Sequence, residues 1–193
     1  MKIENMPKLH FFDYILKATI LPFIPRSVSP NNVTAFRFTT IPLVVYFLVV
    51  GDFKWGIVLF AISALSDGVD GALARTRNQI TEWGKMYDPL ADKLLIGTVV
   101  ALVVSQILGH VLALVIIGLE LLIIASAFYR KKFHGREISA KTSGKIKMVF
   151  QSVGVFLLLV AASSNSLLLA EISRWLLYAG VSFAILSIVE YSI

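Results

Sequence analysis

The stretch Trp55–Arg75, WGIVLFAISALSDGVDGALAR, decides the fold. Residues 55–66 carry no charge and set apolar side chains around the whole helical circumference, where a soluble surface helix would confine them to one stripe. Such a segment belongs in hydrocarbon. Counted from Trp55 to Leu73, it is one of six apolar stretches, the others being Val33–Val50, Leu90–Leu108, Val111–Phe128, Met148–Ala162 and Arg174–Val189. A hydrocarbon core of ~30 Å is crossed by about 20 helical residues. The six stretches therefore predict an all-α integral membrane protein with six transmembrane helices. A chain of 193 residues, 57% hydrophobic and 16% charged, has the composition for this and is too short for a large transporter. It has no cysteine, which excludes disulfides and thiolate metal sites, and its histidines, His10, His110 and His134, are too scattered to form a zinc set.

Ahead of the first stretch, Leu9, Phe12, Ile15, Leu16, Ile20 and Phe23 recur at near-helical spacing until Pro22 and Pro25 interrupt. This predicts an N-terminal interfacial amphipathic helix with its lead-in over residues 1–30, followed by a transmembrane domain over 31–193. The segment has neither an uninterrupted apolar run nor a small-residue cleavage site, so it is expected to remain rather than act as a secretory signal. No internal repeat or low-complexity tract is visible. Orientation follows from the basic residues. With the N-terminus cytoplasmic, 16 of the 18 lysines and arginines fall on the inner side, leaving Lys54 and Arg174 outside. The expected place is a cytoplasmic (inner) membrane, crossed several times, with the Asp-rich helix ends on the cytoplasmic side. The net charge of +6 suits an anionic lipid surface or a phosphorylated substrate as readily as nucleic acid, and where the charges sit decides: in a multi-pass membrane protein no nucleic-acid partner is expected.

Four carboxylates mark the chemistry. Asp67 and Asp70 stand i, i+3 near one helix end and share a face. Asp88 reads as a helix N-cap with Pro89 at the first helical position, and Asp92 lies one turn on. In hydrocarbon each would cost about 2.5–3.5 kcal/mol, so four without compensation would cost about 10 kcal/mol or more. Something cationic must offset them. Oxygen ligands without His or Cys select Mg²⁺ or Mn²⁺, and four carboxylates supply charge enough for two ions, which suits phosphoryl transfer. Gly68, Gly71 and Ala74 are small enough to admit a ligand or a neighbouring helix, and Arg75 suits either a phosphate or a positive-inside position.

Asp67, Asp70, Gly71, Ala74, Arg75, Gly84, Asp88 and Asp92 reproduce the signature Dx2DGx2ARx8Gx3Dx3D with every spacing kept, and on these residues the chain resembles the CDP-alcohol phosphatidyltransferases. The resemblance extends to Pro30-Asn31-Asn32-Val33-Thr34, to Asp88-Pro89-Leu90-Ala91-Asp92-Lys93 and to Gly144-Lys145-Ile146-Lys147. It implies six helices behind an interfacial helix, a homodimer, and two Mg²⁺ or Mn²⁺ ions on Asp67, Asp70, Asp88 and Asp92. It further implies that Asp92 removes the proton of the attacking hydroxyl. Thr34, Asn32, Gly71, Ala74, Arg75 and Gly84 resemble contacts to the CDP moiety. By the chemistry of a carboxylate beside a divalent ion, the alternative is that Asp92 is only a ligand and lowers the alcohol's pKa through the metal.

The Asp88–Lys93 and Gly144–Lys147 segments look most like bacterial phosphatidylglycerophosphate synthases, which implies CDP-diacylglycerol as donor, glycerol 3-phosphate as acceptor and CMP as product. Arg130, Lys141, Lys145 and Lys147 are the candidates for the acceptor's phosphate, against a reading in which they only set topology. One departure stands out: Leu119-Glu120 occupies a place where those enzymes often carry Arg-Glu, so Arg130 is a substitute contact, or Glu120 pairs with a basic neighbour. The rival readings are a cardiolipin synthase of the CDP-alcohol type, a phosphatidylinositol-phosphate synthase, a membrane prenyltransferase and, outside enzymes, a cation channel or carrier.

Overall fold

The computed structural model describes residues 11–134 and 142–192, and every regular element among them is helical. Helix α1 (Phe11–Thr19) is followed by a 3₁₀ turn at Leu21–Phe23, then by α2 (Pro30–Val49), α3 (Phe53–Thr76) and α4 (Glu82–Val99). A π-helical turn, Val100–Val104, and a last turn, Ser105–Ile107, carry α4 onward. Helices α5 (His110–His134), α6 (Thr142–Ser164) and α7 (Leu167–Ser192) complete the chain. Five segments are long and apolar enough to cross a bilayer: Pro30–Val49, Phe53–Thr76, Glu82–Ile107, Thr142–Ser164 and Leu167–Glu190. The remaining predicted stretch lies in α5, whose apolar part, His110–Ser126, is shorter. Outward-facing side chains such as Leu65, Val111, Leu114, Leu168 and Trp175 are apolar, as a lipid-facing surface requires and an aqueous one penalises. The protein is thus an all-helical, multi-pass membrane protein.

Left-handed residues mark the tight connections: Gly51 (φ +79°) after α2, Asn78 (φ +53°) after α3, Gly109 (φ +107°) before α5 and Asn165 (φ +52°) between α6 and α7. Helix α2 opens with Ser29 accepting the Asn32 N–H at 3.3 Å and Pro30 at the first helical position, where its missing donor costs nothing. The expectation for Asp88 is corrected. Helix α4 begins at Glu82, capped by Thr81, whose hydroxyl accepts the Gly84 N–H at 3.0 Å, so Asp88 and Pro89 lie inside it. An earlier cap wins because Pro89, two turns in, forfeits one hydrogen bond without ending the helix. The last two stretches also begin earlier than predicted. Helix α7 starts at Leu167, where the Ser166 hydroxyl accepts the Leu169 N–H at 3.4 Å, and Glu171 and Arg174 pair one turn apart within it, 2.7 Å between charged atoms.

The chain divides into two compact units. The first comprises residues 1–46 and 58–95, of which those from 11 onward are described. Its apolar cluster joins Leu21, Ala72 and Leu73 to Leu16, Ile24, Val33 and Val69. Arg77 fastens the segment before α2 by donating to the carbonyls of Ile24 (2.8 Å), Val28 (2.8 Å) and Pro25 (3.3 Å). The second unit comprises residues 47–57 and 96–193, of which those up to 134 and 142–192 are described. There α6 and α7 pack closely, with Gly154 against Leu177, Gly180 against Gln151, and Phe150 stacked on Phe183 at 5.6 Å. Small residues at such a contact let backbones approach, and the Ser173 hydroxyl reaches the Gly154 carbonyl at 2.7 Å.

Candidate active site

The first unit gathers the carboxylates, and the cation that offsets them belongs to the chain. Arg37 of α2 is fully buried, with Nη1 2.8 Å from Asp67 and Nη2 2.6 Å from Asp70. Its Nε donates to Ser66 at 3.3 Å, and Nη1 also reaches the Asp88 carbonyl at 3.5 Å. Burial keeps the Arg37–Asp70 pair out of competition with water, Asp70 being 2% exposed, whereas Asp67, 47% exposed, still meets solvent. One turn earlier on α2, Thr34 Oγ1 stands 2.5 Å from Asp88 Oδ1 and 3.3 Å from Asp70 Oδ2. Arg37 and Thr34 together thus link Asp67 and Asp70 of α3 to Asp88 of α4. Behind them Thr40 donates to Ser63 at 3.0 Å, which continues the polar seam between α2 and α3.

The signature glycines have local reasons. A methyl group at Gly84 would stand 3.2 Å from Thr81 Oγ1, 3.4 Å from Asp88 Oδ2 and 3.5 Å from Asn31 Oδ1. A side chain there would crowd the Asp88 carboxylate. At Gly71 it would lie 3.2 Å from both terminal nitrogens of Arg75. Arg75 itself is held by Asp13 of α1, Nε and Nη2 each donating at 2.8 Å. Ala74 is half-buried on α3, and its carbonyl accepts the Gln79 N–H at 2.9 Å. Asp92 lies one turn beyond Asp88 on α4 and is half-buried. Asn32 is exposed; its neighbour Asn31 makes the side-chain contact, accepting from the Thr81 hydroxyl at 2.7 Å.

The residues considered for the acceptor's phosphate belong to the second unit. Lys145 is exposed near the start of α6. Lys147 differs from the expectation of a rim cation: it is buried and paired with Glu120, so Glu120 has the basic neighbour that the Leu119-Glu120 departure left open. The Arg130 side chain and Lys141 lie outside the described residues. Sequence reasoning had counted Arg37 only toward topology and had given Asp13, Asn31 and Thr81 no role. A usable signal for Arg37 was its place on the buried stripe Thr34, Arg37, Thr40, Val44 and Leu48.

Among the described residues, no group of three acidic or histidine side chains is gathered at metal-ligand spacing, and Arg37 bridges Asp67 and Asp70 directly. The donor set is nonetheless of the right kind for a hard divalent cation: carboxylate oxygens from neighbouring turns of two helices, with a hydroxyl between two of them.

Residues 27–186, most of the chain, match the family described as CDP-alcohol phosphatidyltransferase. A protein of Rickettsia felis named CDP-diacylglycerol–glycerol-3-phosphate 3-phosphatidyltransferase is 38% identical over 80 residues, 40% of this chain and 44% of that protein. The chain thus spans less than half the length of that relative. A Bacillus subtilis protein of the same name is 28% identical over 186 residues, 84% of this chain and 92% of its own. A Streptomyces coelicolor protein named cardiolipin synthase (CMP-forming) is 33% identical over 102 residues, 49% of this chain and 47% of that protein.

Proposed function

The chain belongs to the CDP-alcohol phosphatidyltransferase family, and on that premise we propose that it is an enzyme of phospholipid biosynthesis that transfers a phosphatidyl group from CDP-diacylglycerol to glycerol 3-phosphate, releasing CMP. The observation that carries this reading is the convergence of Asp67, Asp70 and Asp88 on Thr34 and Arg37, with Arg75 on the same helix as two of them. The family is generally metal-dependent. Asp67, Asp70, Asp88 and Asp92 would hold two Mg²⁺ or Mn²⁺ ions, which would supply charge neutralisation at the diphosphate and the leaving oxygen.

The rest falls to the chain's own residues. Arg75 binds the diphosphate, while Gly71, Ala74 and Gly84 keep the surrounding backbone open, and Asn32 and Thr34 flank the nucleotide from the first turns of α2. The hydroxyl oxygen of the acceptor attacks the lipid-linked phosphorus. The bond from that phosphorus to the anhydride oxygen breaks, the oxygen leaves with CMP, and the hydroxyl proton passes to Asp92. Exposed Lys145 is the described candidate for the acceptor's phosphate. The enzyme works as a homodimer in the cytoplasmic membrane; its site lies on the cytoplasmic side, an orientation that the 16 to 2 division of basic residues supports.

A second reading, cardiolipin synthesis with phosphatidylglycerol as acceptor, is favoured by two observations: the cardiolipin synthase relative and the commitment of Lys147 to Glu120. CMP release from CDP-diacylglycerol by the purified protein, with glycerol 3-phosphate, phosphatidylglycerol and inositol phosphate offered in turn, decides between them. Fastest turnover of glycerol 3-phosphate is the expected result. Faster turnover of another acceptor reassigns the product, and no CMP release with any acceptor overturns the phosphatidyltransferase reading.

A further inference from the structure

Arg75 is clamped by a part of the chain that precedes the membrane spans. Asp13, in the first turn of α1, is 1% exposed, and its two carboxylate oxygens accept from Arg75 Nε and Nη2 at 2.8 Å each. This is the side-on edge of the guanidinium, and a bidentate pair fixes the plane as well as the distance. Helix α1 can reach this position because Leu16 packs into the cluster of Leu21, Ala72 and Leu73. Gly68 of α3 offers Leu16 no side chain to collide with, a methyl there standing 3.8 Å from Leu16 Cδ1. The end-on edge of the guanidinium faces the space that Gly71 leaves without a side chain, both terminal nitrogens 3.2 Å and Cζ 3.6 Å from where a Cβ would be. The end-on edge, Nη1 with the second proton of Nη2, makes no hydrogen bond among the described residues. The Arg75 side chain remains 29% exposed, so the N–H groups that Asp13 does not hold can still meet an anion.

We propose that Asp13 is a positioning residue for phosphatidyl transfer: it holds Arg75 so that the remaining guanidinium N–H groups meet the diphosphate of the CDP-lipid. The proposal rests on the reading of Arg75 as a diphosphate contact. Arginine is long and rotamer-rich, and a phosphate must otherwise freeze it on arrival; Asp13 and Gly71 leave it little freedom to lose. Two other roles compete for Asp13: anchorage of α1, whose loss would act whether or not Arg75 is present, and neutralisation of Arg75, which differs from positioning in sign. A carboxylate that merely neutralised Arg75 would weaken anion binding, so its removal would lower KM for the donor, whereas loss of a positioning residue raises it.

The test is steady-state CMP release by the full chain in detergent micelles, with CDP-dioleoylglycerol and acceptor varied separately. Asp13→Asn is expected to raise KM for the CDP-lipid about tenfold and to change KM for the acceptor less than about twofold. Arg75→Gln should raise the donor KM at least as much, and adding Asp13→Asn to Arg75→Gln should change it no further. Asp13→Glu, which keeps the carboxylate and covers the case in which Asp13→Asn does not fold, should fall between wild type and Asp13→Asn, or at about two- to fivefold if measured alone. A raised donor KM in Arg75→Gln with an unchanged or lowered one in both Asp13 variants overturns the positioning role and leaves the reading of Arg75 intact. An unchanged donor KM in Arg75→Gln removes that reading and this proposal with it.

Discussion

Replacing Arg37 by Met keeps the unbranched stem of the side chain and deletes the guanidinium charge that Asp67 and Asp70 share. The effect can be apportioned from exposure. Asp67 is 47% exposed, so losing that pair is worth less than about 1 kcal/mol. Asp70 is 2% exposed, and leaving a buried charge without its partner costs about 3–5 kcal/mol. Ser66 loses one hydrogen bond, worth about 1 kcal/mol. The Asp70 contribution decides the outcome, near 4 kcal/mol, or about 8–16 °C in Tm at the usual 2–4 °C per kcal/mol for a chain of this size. Thermal unfolding of the detergent-solubilised protein in excess chelator measures it. Asp70→Asn in the Arg37→Met background should restore much of the loss, because it removes the orphaned charge, and Mg²⁺ should restore part of it in the single variant. Costs for Arg37→Met and Asp70→Asn that add within about 0.5 kcal/mol would refute the argument that their partnership is what matters.

Gly84→Ala should lower kcat/KM about tenfold while Tm stays within a few degrees of wild type, because the gain in helix propensity of about 1 kcal/mol offsets crowding of Thr81 and Asp88. Unchanged turnover would mean that Asp88 has room to shift. In the second unit, Glu120→Gln should destabilise by about 3–5 kcal/mol by stranding buried Lys147, whereas Glu120→Leu with Lys147→Met should be neutral or stabilising; equal losses in the two would show that packing rather than charge dominates. For topology, Gln79 lies exposed in the connection after α3 and Ser164 exposed at the end of α6 in a chain with no native cysteine, so a membrane-impermeant thiol reagent should reach Gln79→Cys from the cytoplasmic side and Ser164→Cys from the other. Labelling of both from one side would contradict the crossing pattern.

The membrane class, the helical elements and the Asp-rich signature were legible because each is carried by local sequence. Apolar length reports burial in hydrocarbon, and the i, i+3 and i, i+4 spacings report shared faces. Helix starts were less legible. The reading of Asp88 as a cap rested on Pro89, yet Thr81 offered a cap seven residues earlier, and prolines inside membrane helices are tolerated where other groups satisfy the backbone. Partner choice among charges was the least legible, since it depends on which helices meet. The chain had to contain a cation to offset the carboxylates, and an arginine on the buried stripe of α2 answered that need; counted only toward topology, it was overlooked.

Lys145 and Lys147 show how far helical geometry alone could have gone. Two residues apart on α6, they point about 200° away from each other, so they cannot both face one rim. Lys147 shares its face with Ser143 and Gln151, four residues to either side, and all three are buried. A stripe of that kind, polar at every fourth position in an apolar helix, demands partners from facing helices, and it has them. Glu120 of α5 takes Lys147, Glu190 of α7 accepts from the Ser143 hydroxyl at 2.6 Å, and Gln151 packs against Gly180 of α7. The basic segment Gly144–Lys147 therefore divides its duties by face, with Lys147 tying the helices of the second unit together and Lys145 left facing outward. If this segment recognises the acceptor as proposed, Lys145 is the described residue left to do it, and Lys145→Gln should raise KM for glycerol 3-phosphate severalfold while Tm and the KM for CDP-diacylglycerol hold. If Lys145→Gln leaves the acceptor KM unchanged, the exposed face of α6 takes no part in recognising the acceptor's phosphate.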